Sequence, residues 1–199
     1  MTNIEAWFAK NDGDGNFTRS PRHFPYTLIG VSGPCGTIVY CSKLLKYLFL
    51  DDRQVPSNVG LLQRYGLPNR NDLGWMRQLV GKRKLLFFGD LDPVDLLVFA
   101  WLRRRLRGVW LEHLGINDAL LAAVGFEPAD SVPSGRTIRL RGSEKKAMQV
   151  LAKAFPDFAE IVGEKCAALL ARGRKLEIEA ILSLNAAIRD ALFAALKVH

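Results

Sequence analysis

The chain has 199 residues, 49% of them apolar, and a formal net charge of +8 at neutral pH. That length fits one domain, or one domain with a helical appendage, and the apolar content supports a core of ordinary size. No apolar run approaches the ~20 residues that cross a bilayer. Met1-Thr-Asn-Ile-Glu-Ala carries neither the basic nor the apolar region of a secretory signal. Cys35, Cys41 and Cys166 are odd in number and lack metal-ligand spacing. The expectation is therefore reduced thiols in a cytoplasmic protein with no membrane partner.

The charge is the unusual bulk property. Basic residues cluster at Lys82-Arg83-Lys84, at Arg103-Arg104-Arg105-Arg107, around Arg136, Arg139 and Arg141, at Lys145-Lys146 and at Arg172, Arg174 and Lys175. Such a surface attracts polyanions through counterion release, without any sequence preference. For any single cluster a solvated helix face is the better reading; the five together lean towards nucleic acid.

In chain order, residues 1–25 hold a Gly-, Asp- and Pro-rich stretch and read as a flexible arm. Asp12-x-Asp14-x-Asn16 is not a calcium loop, because Phe17 stands where glycine is required and His23 where glutamate is. Tyr26 to Ser32 predicts a strand that runs into the turn Gly33-Pro34-Cys35-Gly36. The apolar spacing of Thr37 to Leu50 predicts a helix. Neither a dinucleotide fingerprint nor a phosphate-binding P-loop is present among these glycines. Val59 to Leu62 predicts a short strand, Asp72 a cap for a helix over Leu73 to Leu79, and Leu85 to Phe88 a strand with an acidic end. A helix over Val94 to Leu106, a strand over Val109 to Leu114 and a short helix from Asn117-Asp118 to Val124 follow. Beyond the Pro- and Ser-rich segment Pro128 to Gly135 the pattern is helical over Ser143 to Ala154, Phe158 to Ala171 and Glu177 to Val198. Strands alternating with helices imply an α/β fold with a mainly parallel central sheet, helices on both faces and C-terminal helices. The expected division is an arm over 1–25, an α/β core over 26–140 and a helical segment over 141–199. Trp75, Trp101 and Trp110 read as core, and His113 as a structural histidine in a strand.

The most informative stretch is Lys84-Leu-Leu-Phe-Phe-Gly-Asp90-Leu-Asp92-Pro93. Side chains at the carboxyl end of a strand in an open α/β sheet face the crevice where ligands bind. Two carboxylates there repel each other, and a divalent cation relieves that repulsion. The alternative from the same residues is a strand-to-helix turn in which Asp92 caps the helix.

Four segments in order resemble the Toprim domain of topoisomerase VI A subunits and the related meiotic double-strand-break enzymes. They are Tyr65-Gly-Leu-Pro-Asn69 with Met76-Arg-Gln-Leu79, then Gly89-Asp-Leu-Asp-Pro93, then Trp110 to Asp118, and finally Arg174 to Leu182. The nuclease subunit of Wadjet-type plasmid-defence systems carries a related domain. The resemblance implies that Asp90 and Asp92 hold Mg²⁺, or Mn²⁺ in its place, for phosphodiester cleavage with water as nucleophile. Asp95 either extends the acidic cluster or interacts with the N-terminus of its helix. Of Glu177 and Glu179, which point to different faces of a helix, at most one faces the site; Glu179 is the candidate, against the more common role of a surface salt bridge. Arg103, Arg104 and Arg107 are candidates for phosphate contacts. Two departures accompany the match. Ser32 stands at the place of the glutamate that ends the family's first strand, and no counterpart of the domain carrying the family's nucleophilic tyrosine is expected. Two expectations follow: a metal-dependent nuclease or nucleic-acid-docking domain that works with a protein partner, or a catalytically degenerate domain retained as a binding or scaffold module.

Overall fold

The structure, a computed structural model, describes residues 3–13, 17, 25–43, 57–64, 66–123 and 136–182. The chain divides into two compact units, one drawn from residues 1–88, 98–113 and 199, the other from 89–97 and 114–198.

The first unit begins with helix α1 (Asn3–Asn11), where a flexible arm was expected. Ile4 and Phe8, four residues apart and so on one helix face, are both fully buried. Phe8 meets Phe17 and Trp101 edge-to-face, with ring centroids 5.3 and 6.0 Å away. Glu5 is buried beside them and accepts hydrogen bonds from Trp101 Nε1 at 3.3 Å and from the Arg105 guanidinium. The Gly- and Asp-rich stretch that suggests an arm comes after this helix in the sequence; Asp12 Oδ2 accepts the Phe17 N–H at 2.7 Å.

Five strands form the sheet of this unit: β1 (Tyr26–Ile29), β2 (Thr37–Cys41), β3 (Val59–Arg64), β4 (Lys84–Phe88) and β5 (Leu111–His113), in spatial order β1-β3-β2-β4-β5. β2, β3, β4 and β5 run parallel, and β1 joins the edge antiparallel to β3. The fold is therefore α/β with a mostly parallel mixed sheet. The helix expected from Thr37 is corrected over its first five residues, which form the central strand; the continuation past residue 43 lies outside the described residues. Thr37-Ile-Val-Tyr is rich in residues that favour strands, and every residue of β2 is buried. Such a strand shows a continuous apolar run rather than alternation, so spacing alone does not distinguish it from a buried helix. Gly60 in β3 is required by a close approach: a Cβ there would lie 2.8 Å from Val31 Cγ1 and 3.1 Å from Cys35 Sγ.

Helix α2 (Leu73–Val80) follows a 3₁₀ turn over Arg70–Asp72 and buries Leu73, Met76 and Val80. Helix α3 (Pro93–Arg105) supplies its first turns to the second unit and the remainder to the first. Trp101 on α3 is buried and Trp75 on α2 is half-buried. Trp110, expected in the core, is 65% exposed beside the edge strand β5. Its ring lies 4.6 Å from the Lys84 ammonium, and its Nε1 donates to Glu112 at 2.6 Å. His113 is structural, as expected: its ring stacks on Phe87 and meets Phe99 edge-on. Neither ring nitrogen has a hydrogen-bond partner among the described residues, and burial pushes the imidazole down to about 4.

The second unit contains α4 (Asp118–Ala123), β6 (Ile138–Arg139), α5 (Gly142–Ala154), α6 (Phe158–Val162), α7 (Glu164–Ala171), β7 (Arg174–Lys175) and α8 (Ile178–Leu182). The single helix expected over Phe158 to Ala171 is broken at Gly163, where φ is +88°. A Cβ at that position would lie 2.3 Å from the Asp118 carboxylate. That carboxylate accepts the N–H groups of Lys165 at 3.0 Å and Cys166 at 2.9 Å, capping α7 from a distant part of the chain. The expected helix from Glu177 is seen as α8, and its course past residue 182 lies outside the described residues, as does Pro128 to Gly135. No helix among the described residues is long and apolar enough to cross a membrane.

Phe8→Ala should destabilise the protein by about 3–5 kcal/mol in urea unfolding, the cost of emptying a packed aromatic site. A pendant segment would lose almost nothing. His113→Phe tests the buried imidazole. With the folded-state pKa near 4 against an ordinary 6.5, the unfolded chain takes up the proton first, so stability falls as pH drops through that window. The phenylalanine variant should lose less stability than the wild type between pH 7 and pH 5; identical pH dependence would show that the ring protonates freely in the folded state.

Candidate functional site

In the second unit, Asp90, Leu91 and Asp92 lie antiparallel to the segment containing β7. Leu91 N donates to Leu176 O at 3.0 Å, and Leu176 N donates to Leu91 O at 3.1 Å. This register sets Asp92 directly opposite Lys175, the arrangement in which opposite charges on neighbouring strands attract. The Lys175 ammonium lies 3.1 Å from Asp92 Oδ2, 2.9 Å from Glu144 Oε1 and 3.1 Å from Glu177 Oε1. Asp92 is 8% exposed, and Glu144 and Lys175 are each 9% exposed, so screening by water is weak. Burial works against the ammonium, but Glu144 and Asp92 outweigh it and hold the lysine pKa above its ordinary value. Glu144 shows the complementary shift. Burial disfavours its charge, yet the Arg141 N–H and Lys175 together hold its carboxyl below the usual range.

Both oxygens of Asp92 are engaged. Oδ1 accepts the Val94 N–H at 2.6 Å, giving Asp92 the helix-capping role that its position before Pro93 suggests, while Oδ2 faces Lys175. Asp90 is buried, and its Oδ1 accepts the Ile178 N–H at 2.9 Å, at the start of α8. Asp95 reaches back from the first turn of α3 to accept the Asp90 N–H at 2.8 Å. Of the two glutamates on the closing segment, Glu177 is the one that reaches Lys175; Glu179 is exposed.

This donor set is a poor cradle for Mg²⁺. The place where Asp92, Glu144 and Glu177 converge is held by an ammonium, and one cation excludes another there. Magnesium also needs oxygens at ~2.0–2.1 Å in near-octahedral geometry. Among the described residues, no group of three or more His, Cys, Asp or Glu side chains is arranged to hold a metal ion.

β2, not the segment ending at Ser32, pairs in parallel with β4, with Cys41 opposite Phe88. Its carboxyl end continues into Ser42 and Lys43, so no acidic residue stands there either. Ser32 lies exposed in the turn after β1.

Of the expected phosphate-contacting residues, Arg103 and Arg104 are exposed near the end of α3, and Arg107 is exposed just beyond it. Arg104 and Arg107 line an open concavity of about 980 Å³ in the first unit, together with Arg70, Arg77 and Arg105; Arg103 does not line it.

Sequence reasoning passed over Lys175 and Glu144. Glu144 carried a usable signal, because it stands three residues after Arg141 and its Oε2 accepts the Arg141 N–H at 2.5 Å, the N-terminal half of a capping box. Lys175 carried none, being one of 28 lysines and arginines and sitting within a basic cluster. Compared with known proteins, the chain matches no family model and no curated sequence.

Lys175→Met should cost about 3–5 kcal/mol, because it leaves buried carboxylates without their counter-charge. Urea unfolding at neutral pH reads this directly. A loss below ~1 kcal/mol would mean that the cluster behaves like a solvated surface pair.

Proposed function

We propose that this chain is a Toprim-like α/β module that docks on nucleic acid, and that its acidic pair has become part of the scaffold rather than a metal-dependent cutting site. The observation that carries this reading is Lys175, whose ammonium lies within 3.1 Å of Asp92, Glu144 and Glu177. In this place the lysine does electrostatically what a divalent cation would do, relieving carboxylate repulsion, but it supplies no Lewis acid and no activated water. Asp92 is further committed to capping α3, and Asp90 to the Ile178 N–H.

The net charge of +8 supports nucleic acid as the partner, since neutralised phosphates release counterions whatever the sequence. Contacts to phosphates carry no sequence information, so a protein partner would bring specificity and any catalytic groups.

Fluorescence anisotropy with a labelled duplex, in EDTA and in Mg²⁺, together with plasmid nicking in Mg²⁺ and Mn²⁺, tests the reading. Binding should persist in EDTA and weaken steeply with salt, and neither wild type nor Asp92→Asn should nick. Metal-dependent nicking by the wild type that is lost in Asp92→Asn would reverse the assignment and establish a nuclease.

A further inference from the structure

We infer that the arginine-lined concavity of the first unit is the seat of the nucleic-acid backbone, an inference that rests on the docking reading above. Two elements build it. The 3₁₀ turn and first turn of α2 contribute Arg70, Leu73 and Gly74, with Arg77 one turn on; the end of α3 and the residues after it contribute Arg104, Arg105 and Arg107. Arg70, Arg77, Arg104 and Arg107 are exposed and Arg105 is half-buried.

The architecture holds these groups in place. The Arg77 guanidinium donates to the Arg105 carbonyl, tying α2 to the end of α3. Arg105 in turn pairs with the buried carboxylate of Glu5. Among the described residues no acidic side chain lines the concavity, and Glu5 compensates Arg105 from behind its wall. The guanidiniums of Arg70, Arg77, Arg104 and Arg107 around one depression focus a positive potential there, and an approaching polyanion relieves their mutual repulsion.

The lining also selects the ligand class. Its volume of about 980 Å³ would suit a small molecule, but such pockets are predominantly apolar, and among the described residues Leu73 is the one large apolar side chain here. Among the described residues no aromatic side chain lines it to offer a platform on which to stack a base. What remains is recognition of phosphates by forked, always-charged donors. An open depression of this kind suits successive phosphates of a passing strand, read without regard to base.

The test is duplex binding by anisotropy over a salt series, using the full chain and two charge-matched variants. Arg70→Ala/Arg107→Ala removes two lining residues. Lys145→Ala/Lys146→Ala removes two exposed lysines of α5 that do not line the concavity. The arginine pair should weaken binding roughly tenfold and flatten the log–log salt slope by about 1 per lost phosphate contact, and the lysine pair should do neither. Thermal melting should be unchanged in both variants, since all four side chains are exposed. Equal effects of the two pairs would overturn the inference while leaving the docking reading intact, because binding would then be diffuse. Tripolyphosphate displacing the duplex at equal or lower concentration would also overturn it, in favour of a small-polyanion site. A wild type that binds no duplex at low salt would defeat the docking reading itself, and this inference with it.

Discussion

One buried ammonium organises the second unit. Lys175 meets carboxylates from three parts of the chain: Asp92 before α3, Glu144 in the first turn of α5, and Glu177 before α8. Each of those carboxylates lies at or near a helix start, where backbone N–H groups lack partners inside the helix. Asp92 and Glu144 use a second oxygen to accept such an N–H or the N–H just before it, from Val94 and Arg141 respectively. The same side chains thus cap helices and converge on one cation. Burial works against the charge of Lys175, and these carboxylates outweigh it; Lys175 in turn helps to hold the Glu144 carboxyl below its usual range. The antiparallel pairing of Leu91 with Leu176 supplies the register that lets this happen, because it sets Asp92 opposite Lys175.

The first unit uses a buried charge differently. Glu5 lies inside an aromatic cluster and takes the Trp101 N–H and the Arg105 guanidinium, so α1 is locked to α3 through one carboxylate. Arg105 is also part of the basic concavity, and its carbonyl receives Arg77. Structural anchoring and the lining of the concavity therefore share a residue. A guanidinium suits both tasks, because its fork satisfies a buried carboxylate with one edge and keeps its positive charge whatever the surroundings.

Much of this organisation was legible in the sequence. The strand Lys84–Phe88, the helices α2, α3, α4 and α5 and the structural role of His113 follow from periodicity, capping residues and composition. Where the reading failed, the deciding information was tertiary. Thr37–Cys41 is apolar on both faces because it is central in the sheet, and that erases the alternation which marks a half-buried strand. Gly163 breaks a continuous helical pattern because Asp118, more than forty residues upstream, occupies the space a side chain would need. Trp110 is exposed because it sits beside an edge strand, a position that composition cannot reveal. At the acidic cluster, the spacing of Asp90 and Asp92 was visible, but the identity of their counter-charge was not. Lys175 is more than eighty residues downstream and differs from its basic neighbours only in its burial.

The nature of that counter-charge bears on what kind of device the unit is. A divalent cation held by carboxylates leaves when it is chelated or diluted, so a metal-held loop is conditional on the ion. A lysine on the chain is present at fixed effective concentration. It loses its proton only well into the alkaline range, since its pKa is raised above the ordinary 10.5. The segment from Asp90 to Asp95 is then set once, on folding, and stays set through the neutral range. A metal centre for phosphodiester cleavage differs in this respect, because its cation must keep open positions for water and phosphate. An ammonium at the point of convergence makes the charge balance here permanent.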